Sequence, residues 1–252
     1  SSNPLKPWKN LIQKIYLFFA INSYSAKILA KNTITISPSI KDAHNKLIIG
    51  GNTKLRIIDI ANKKVHVILK NGFNTKYIKN DISIRKNFTF LPTPEIYNYN
   101  EANYWYTEEY ICGISPDRIK KSLSNNILSD AVSSLSELIN KSRKKEPLND
   151  YLERIKLNIN SSINNSSGIN TKIKKQIDRL MGNILEEIEK NPISDIYTSL
   201  SHGDFQKSNI LFDGQKSWII DWEFSKRRQI GYDIYVMILN TRILDNFQKR
   251  LK

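Results

Sequence analysis

The first part of the chain alternates short apolar runs with glycine or polar turns. Mostly apolar and β-branched residues fill positions 47–49, 55–60 and 65–70, and Gly50-Gly51 and the polar stretch 61–64 separate them. Runs of this kind are typical of β-strands joined by tight turns. The pattern therefore predicts three consecutive strands between residues 46 and 70.

A helix and a second hairpin are predicted to follow these strands. Residues 75–88 have weak helical spacing, and residues 96–97 and 104–111 flank a polar turn. Together these segments predict a small antiparallel sheet of about five strands. The stretch 112–116 contains glycine and proline, which favours a hinge after the sheet.

Beyond the hinge, apolar residues recur at helical spacing. Ile127, Ala131 and Leu135 begin one such series, and others lie within 151–157 and 171–190. The Ser/Asn-rich segment 160–170 predicts a loop. The sequence thus predicts an α+β protein, with a β-rich N-terminal lobe over residues 1–112 and a mostly helical lobe over 113–252.

Residues 7–32 also have helical spacing. Leu11, Ile15 and Phe18 share one broad apolar face, and Lys9 and Lys14 lie on the other side. Two interpretations stay open: a helix docked on its own domain, or a basic amphipathic helix on a lipid surface.

The charge is strongly basic and unevenly distributed. Lys and Arg number 39 against 24 acids, giving a net charge of +15. Residues 1–86 hold 16 of the basic residues but only Asp42, Asp59 and Asp81 as acids. This favours an anionic partner. A composition generally rich in Ile, Asn and Lys explains the same excess without one.

Several classes of protein are not expected. No apolar run approaches the roughly 20 residues of a spanning helix. The single Cys112 cannot form an internal disulfide, and with His44, His66 and His202 it makes no Cys/His zinc cluster. These features favour a cytoplasmic protein, although the start at Ser1 also fits a processed chain that has lost a signal.

The segment that carries chemistry is residues 200–236, LSHGDFQKSNILFDGQKSWIIDWEFSKRRQIGYDIYV. It predicts a turn after a helix, followed by a hairpin of strands 210–212 and 218–221. The hairpin brings Asp204, Asn209 and Asp221 to one end. Asn209 and Asp221 are candidate Mg²⁺ ligands, and Asp204 is a candidate acceptor for the proton of an attacking hydroxyl. Each residue alone is equally typical of an ordinary turn.

The complete pattern is more specific than its members. HGDxxxxNIL, then IIDWE, then Tyr232-Asp233 resembles the aminoglycoside phosphotransferase and choline kinase group of protein-kinase-like enzymes. The resemblance implies a bilobal protein-kinase-like fold with ATP as donor. It implies that Asp204 is catalytic, that Asn209 and Asp221 bind Mg²⁺, and that Asp233 braces the catalytic loop.

The resemblance also implies a nucleotide site in the first lobe. A lysine at the end of the third strand, Lys70, would grip the α- and β-phosphates. Asp81 would replace the glutamate that usually pairs with that lysine. The remaining assignments are a phosphate-covering turn and a hinge that contacts adenine: Gly50, Gly51, Asn52 and Thr53 for the turn, Glu109 and Ile111 for the hinge.

The implied function is transfer of the γ-phosphoryl group of ATP to a hydroxyl of a small molecule or sugar. Surface-polysaccharide, lipid-linked and choline-like acceptors stay open, whereas the basic charge disfavours polycationic aminoglycosides. An anionic membrane surface is a possible further partner. No nucleic acid is expected, because the basic residues form no RNA or DNA motif.

The alternative is a non-catalytic nucleotide-binding scaffold, a pseudokinase on the same fold. The short glycine turn and Asp81 in place of glutamate favour it. The chain also ends 19 residues after Asp233, sooner than the resemblance implies, which leaves a shortened chain or a simplified acceptor pocket as interpretations.

Overall fold

The computed structural model describes residues 42, 45–164, 170–190 and 193–239. Its N-terminal part is a five-stranded antiparallel sheet of order β1-β2-β3-β5-β4, which confirms the predicted sheet. The strands are β1 (Lys46–Gly50), β2 (Lys54–Asp59), β3 (Lys64–Leu69), β4 (Ile96–Asn100) and β5 (Trp105–Glu109).

One face of this sheet is apolar at one end and charged at the other. The register pairs Ile58 with Val65 and Arg56 with Val67, so these side chains share a face because residues alternate along a strand. The helix α1 (Lys76–Asn87) packs on this face through Ile78 and Ile82. The alternation also places Lys54 on this face.

The remainder is mainly helical, as predicted. Its helices are α2 (Lys121–Ser142), α3 (Leu148–Asn164), α4 (Thr171–Lys190) and α5 (Tyr232–Leu239). The predicted loop over 160–170 is corrected in part, since α3 continues to Asn164. The core here gathers α2 residues such as Leu135 and Leu138 with Phe205 and Trp222, all fully buried.

The turn that carries His202 follows a strand, which corrects the prediction that a helix precedes it. The strand β7 (Asp195–Ser201) is central in a sheet of order β10-β7-β6, with β6 (Lys144–Pro147) and β10 (Lys226–Gln229) at its sides. The predicted hairpin forms between β8 (Ile210–Phe212) and β9 (Ser217–Ile219). Strand β7 escaped prediction because residues 195–201 are mostly polar.

Two further predictions concern the N-terminal helix and membrane-spanning helices. The N-terminal helix over residues 7–32 lies outside the described residues. Within the described ranges, no helix combines the length and the apolar character needed to cross a membrane.

The two leucines Leu135 and Leu123 of α2 test the packing of this core. Leu135 is fully buried, whereas Leu123 is 40% exposed. We expect Leu135→Ala to lower the free energy of unfolding by about 2–5 kcal/mol, because it opens a cavity. The matched control Leu123→Ala should cost less than about 1 kcal/mol. Equal losses in urea unfolding would contradict this packing.

Candidate active site

The HGD segment forms a tight turn that only glycine can make. Gly203 has φ +88°, and a Cβ there would lie 2.2 Å from the Phe224 carbonyl oxygen. An L-residue would therefore meet both backbone strain and a collision. This close approach puts the HGD turn directly beside the segment that follows β9.

Asp233, at the start of α5, anchors the same turn. Its Oδ2 accepts the His202 N–H at 2.6 Å and its Oδ1 accepts the Gly203 N–H at 2.8 Å. Burial raises the pKa of Asp233 despite these two donors. The geometry is that of the brace which the resemblance implies.

His202 joins the turn to the end of the β8–β9 hairpin. Its fully buried ring lies 4.6 Å from the Trp222 ring between centroids. Nδ1 accepts the Asp204 N–H at 3.2 Å, so Nε2 is the nitrogen that donates to the Ile220 carbonyl at 2.9 Å. The imidazole thereby fixes the backbone before Asp204 relative to the backbone before Asp221.

Amide donors orient the carboxylate of Asp204. Asn209 Nδ2 donates to Asp204 Oδ2 and to the Asp204 carbonyl, both at 2.9 Å. Gln206 Nε2 lies 3.2 and 3.1 Å from the two carboxylate oxygens. The Asn209 amide nitrogen is thus engaged, which leaves its carbonyl oxygen as the atom suited to a cation.

Asp221 lies opposite, in an uncommon backbone conformation. Its φ is +69°, in the left-handed region that aspartate tolerates better than most residues. Its Oδ1 contacts Lys54 Nζ at 2.6 Å and Arg56 Nη2 at 3.1 Å. Burial alone would raise its pKa, but these two cations hold the pKa of Asp221 below its usual value.

Lys54 is the buried cation on which these acids converge. Only 1% of its side chain is exposed, and its Nζ lies 3.0 Å from Asp81 Oδ2 and 3.2 Å from Glu223 Oε2, besides the contact with Asp221. Burial opposes its charge, yet the carboxylates outweigh burial and raise the pKa of Lys54. Lys54 is therefore charged and links β2, α1 and the segment after β9.

The expected pairing of Asp81 with Lys70 is wrong, because Asp81 pairs with Lys54. Asp81 also accepts the Tyr106 hydroxyl at 2.7 Å and lies 3.1 Å from Arg85 Nη2. Lys70 follows the last residue of β3, and its Nζ donates to the Gly51 carbonyl. The lysine that Asp81 contacts lies 16 residues before Lys70 in the sequence.

A polar cavity of about 250 Å³ collects most of the predicted residues. Gly51, Asn52 and Thr53 form one wall, and Asp204, Asn209 and Asp221 form the other, with Lys54 and Arg56 between them. Gly50, Lys70 and Asp81 are not among the lining residues: Gly50 ends β1, and Asp81 is fully buried behind Lys54.

A second cavity, of about 140 Å³, continues from the first. Arg56 and Asp221 line both. The predicted hinge residues Glu109 and Ile111 line the second cavity. Its other walls are largely apolar and come from both parts of the fold: Ile58, Val65, Leu211 and Ile220. The cleft therefore has an apolar end and a charged end.

The donors in this cleft fit a hard cation that shares its coordination with a ligand. Within the described part of the chain, no group of three or more His, Cys, Asp or Glu side chains is placed to hold a metal ion. Asn209 and Asp221 instead offer one amide oxygen and one carboxylate. Mg²⁺ is commonly held by one or two carboxylates, with phosphate oxygens and water completing its shell.

Sequence reasoning missed Lys54, Arg56 and Glu223. The available signal was the alternation in β2, because Lys54 and Arg56 occupy the same face as the apolar Ile58. Two cations on the apolar side of a strand need buried partners. Glu223 follows Asp221 by two residues, and its carboxylate accepts the Thr53 hydroxyl at 2.8 Å.

The sequence model of the phosphotransferase enzyme family matches residues 85–251, which is 167 of the 252 residues. The chain belongs to this family, and the resemblance found in the HGD segment is confirmed. No curated protein sequence is significantly similar to the chain.

Solved structures share the fold at low sequence identity. A choline/ethanolamine kinase family protein from Mesorhizobium loti is 17% identical with a TM-score of 0.50, covering 95% of this chain and 74% of that one. Choline kinase LicA from Streptococcus pneumoniae is 13% identical with a TM-score of 0.52, and the match covers 95% of this chain and 79% of that one. APH(2″)-IIa, in a ternary complex with streptomycin and ATP, is 14% identical with a TM-score of 0.55, and the match covers 80% of this chain and 75% of that one. The predicted protein-kinase-like fold class is confirmed.

Lys54 and Lys70 give a matched test of the ion cluster. We expect Lys54→Met to lower the free energy of unfolding by about 3 kcal/mol, because it leaves buried carboxylates without their cation. Lys70→Met removes a contact to one carbonyl and should cost less than about 1 kcal/mol. Urea unfolding at neutral pH measures both. A larger loss for Lys70→Met would contradict the central position of Lys54.

Proposed function

We propose that this protein is an ATP-dependent phosphotransferase that moves the γ-phosphoryl group to a hydroxyl of a small molecule or sugar. The observation that carries the proposal is the continuous cleft, apolar at one end and lined by Asp204, Asn209, Asp221 and Lys54 at the other. Its size and polarity suit a nucleotide with its phosphates at the charged end.

In this proposal the adenine occupies the apolar end of the cleft. Ile58 and Val65 cover one side of the base, and Leu211 and Ile220 cover the other. The backbone of Glu109 and Ile111 contacts its polar edge. The triphosphate then extends past Arg56 towards the turn Gly51–Thr53.

Lys54 replaces Lys70 as the proposed phosphate-binding lysine. Lys54 lines the polar cavity and is held by Asp81 and Glu223, whereas Lys70 is engaged with the turn from outside that cavity. A fixed ammonium group is a pre-oriented counter-charge for phosphate oxygens. Arg56 adds a second cation near the same phosphates.

Asn209 and Asp221 would hold Mg²⁺ through their oxygen atoms. When bound, the ion would supply positive charge that neutralises the phosphates. The two cations on Asp221 keep its carboxylate ionised, which is the state that binds a metal.

Asp204 acts on the acceptor. Its carboxylate, oriented by Asn209 and Gln206, accepts the proton of the acceptor hydroxyl as that oxygen bonds to the γ-phosphorus. The bond from the γ-phosphorus to the bridging oxygen breaks, and ADP leaves with the electron pair. Because the loop beneath Asp204 is held by Asp233 and His202, little reorganisation is needed at this step.

The acceptor is proposed only by class. The solved neighbours include a choline kinase and an aminoglycoside phosphotransferase in complex with streptomycin. The net charge of +15 disfavours a polycation as the acceptor. Choline-like and sugar acceptors, including lipid-linked and polysaccharide ones, form the panel to screen.

Asp204→Asn tests the proposal directly. We expect it to lower phosphoryl transfer, or the slow ATP hydrolysis expected without an acceptor, by about 10²–10⁴-fold, because the amide cannot accept the proton. MgATP binding should persist, since Asp204 is not a proposed metal ligand. Coupled ADP release measures turnover, and calorimetry measures binding.

Glu101→Gln, an exposed acid far from the motif, is the control and should keep wild-type turnover. Wild type that binds MgATP but shows no turnover above Asp204→Asn with any acceptor would contradict the enzyme proposal and favour the nucleotide-binding scaffold.

A further inference from the structure

Helix α4 (Thr171–Lys190) presents an apolar stripe that the described structure leaves partly open: Ile177, Met181 and Ile188 are half-buried, and the other three stripe residues are exposed. None of its 20 residues is buried. Ile173 is 39% exposed, Leu180 58% and Ile184 41%. With Ile177, Met181 and Ile188, they follow the spacing of 3, 4 and 7 residues that places side chains along one side of a helix. A stripe of this kind along about 30 Å of helix normally faces a partner.

The stripe is symmetric about the centre of the helix, between Leu180 and Met181. Each of the six stripe residues has an apolar counterpart at the same distance on the other side of the centre: Ile173 with Ile188, Ile177 with Ile184, and Leu180 with Met181. Leu185, at the border of the stripe, is the exception, because its counterpart is Gln176. In an antiparallel pair of identical helices, each of these residues lies opposite its counterpart in the other helix. Such a contact is self-complementary and closes with twofold symmetry.

The charged residues of α4 are distributed about the same centre, with an excess of bases on one side and an excess of acids on the other. The N-terminal half carries four bases (Lys172, Lys174, Lys175 and Arg179) against one acid, Asp178, whereas the C-terminal half carries three acids (Glu186, Glu187 and Glu189) against one base, Lys190. Lys172, Lys174 and Lys175 lie as far from the centre as Glu189, Glu187 and Glu186. An antiparallel pair therefore sets the basic half of one copy beside the acidic half of the other, and a parallel pair would set like charges together.

This order of charges does not serve the helix itself. The helix dipole favours acids near the N-terminus and bases near the C-terminus, but the first turn of α4 has no acid. Glu187 is paired within the helix to Lys190 at 2.7 Å, which leaves the overall separation of charge unchanged. The arrangement is unfavourable in an isolated helix and favourable against an antiparallel copy.

We propose that α4 is a dimerisation helix, which pairs with α4 of a second copy of this chain in antiparallel, twofold-symmetric fashion. One helix from each copy gives a small interface. We therefore expect a dissociation constant of about 1–100 µM rather than a permanent dimer.

Sedimentation velocity of the full chain between about 1 and 200 µM spans this range. Wild type should pass from monomer to dimer. Leu180→Gln should weaken the dimer at least about tenfold, because it puts a polar group at the centre of the stripe twice per dimer. The matched control Leu157→Gln changes a leucine of α3 that is 64% exposed and off the stripe, and it should leave the dimer unchanged.

Charge reversal tests the antiparallel arrangement. The variant K172E/K174E/K175E has an acidic α4, and the variant E186K/E187K/E189K has a basic one. Each should be monomeric alone, and an equimolar mixture should form heterodimers. The helix dipole favours acids in the first turn and bases in the last, so loss of the helix would not explain loss of the dimer. Circular dichroism checks this.

Three results would overturn the proposal. The first is wild type that stays monomeric throughout the range, including a monomer that instead sediments with anionic vesicles. The second is a dimer that Leu180→Gln leaves intact, since another surface would then be the interface. The third is a mixture of the two charge variants that stays monomeric.

Discussion

The ion cluster around Lys54 is the interaction on which the rest of the structure depends. One buried ammonium group contacts Asp81 on α1 and Asp221 and Glu223 after β9, so a single residue of β2 joins three separate parts of the chain. A buried cation is tolerable only while its acids are in place, and the acids need the cation equally. The relative position of the sheet and the segment after β9 follows from this mutual requirement.

A second constraint fixes the other wall of the cleft. Gly203 brings the HGD turn against the Phe224 carbonyl, Asp233 accepts two N–H groups of the turn, and His202 links it to Ile220. These contacts fix the backbone that carries Asp204 and Asp221, and other side chains, not the two acids themselves, hold the carboxylates. A site whose carboxylates are positioned before any ligand arrives is suited to a reaction in which positioning and charge supply most of the catalysis.

Features that depend on local pattern or short spacing could be predicted from the sequence. These are the strands within 46–69, α1, the β8–β9 hairpin and the proximity of Asp204, Asn209 and Asp221. Lys54 was missed because its partners Asp81 and Asp221 are 27 and 167 residues away. The alternation in β2 places a cation on the apolar face, but it does not show which distant acids pair with it. Lys70 has the better strand-end position in the sequence, yet the register of β2 decides which lysine faces the acids. Strand β7 was missed because tertiary pairing, not apolar alternation, makes its polar residues a strand.

The most direct test of the nucleotide cleft is thermal unfolding with and without MgATP, for wild type and for Asp221→Asn. At a nucleotide concentration one hundred times the dissociation constant, binding adds about 2.7 kcal/mol, which raises the melting temperature of a chain of this size by about 5–10 °C. The account predicts this rise for wild type with Mg²⁺ and a much smaller one for Asp221→Asn. No shift for wild type at millimolar MgATP, or an equal shift in both proteins, would contradict it.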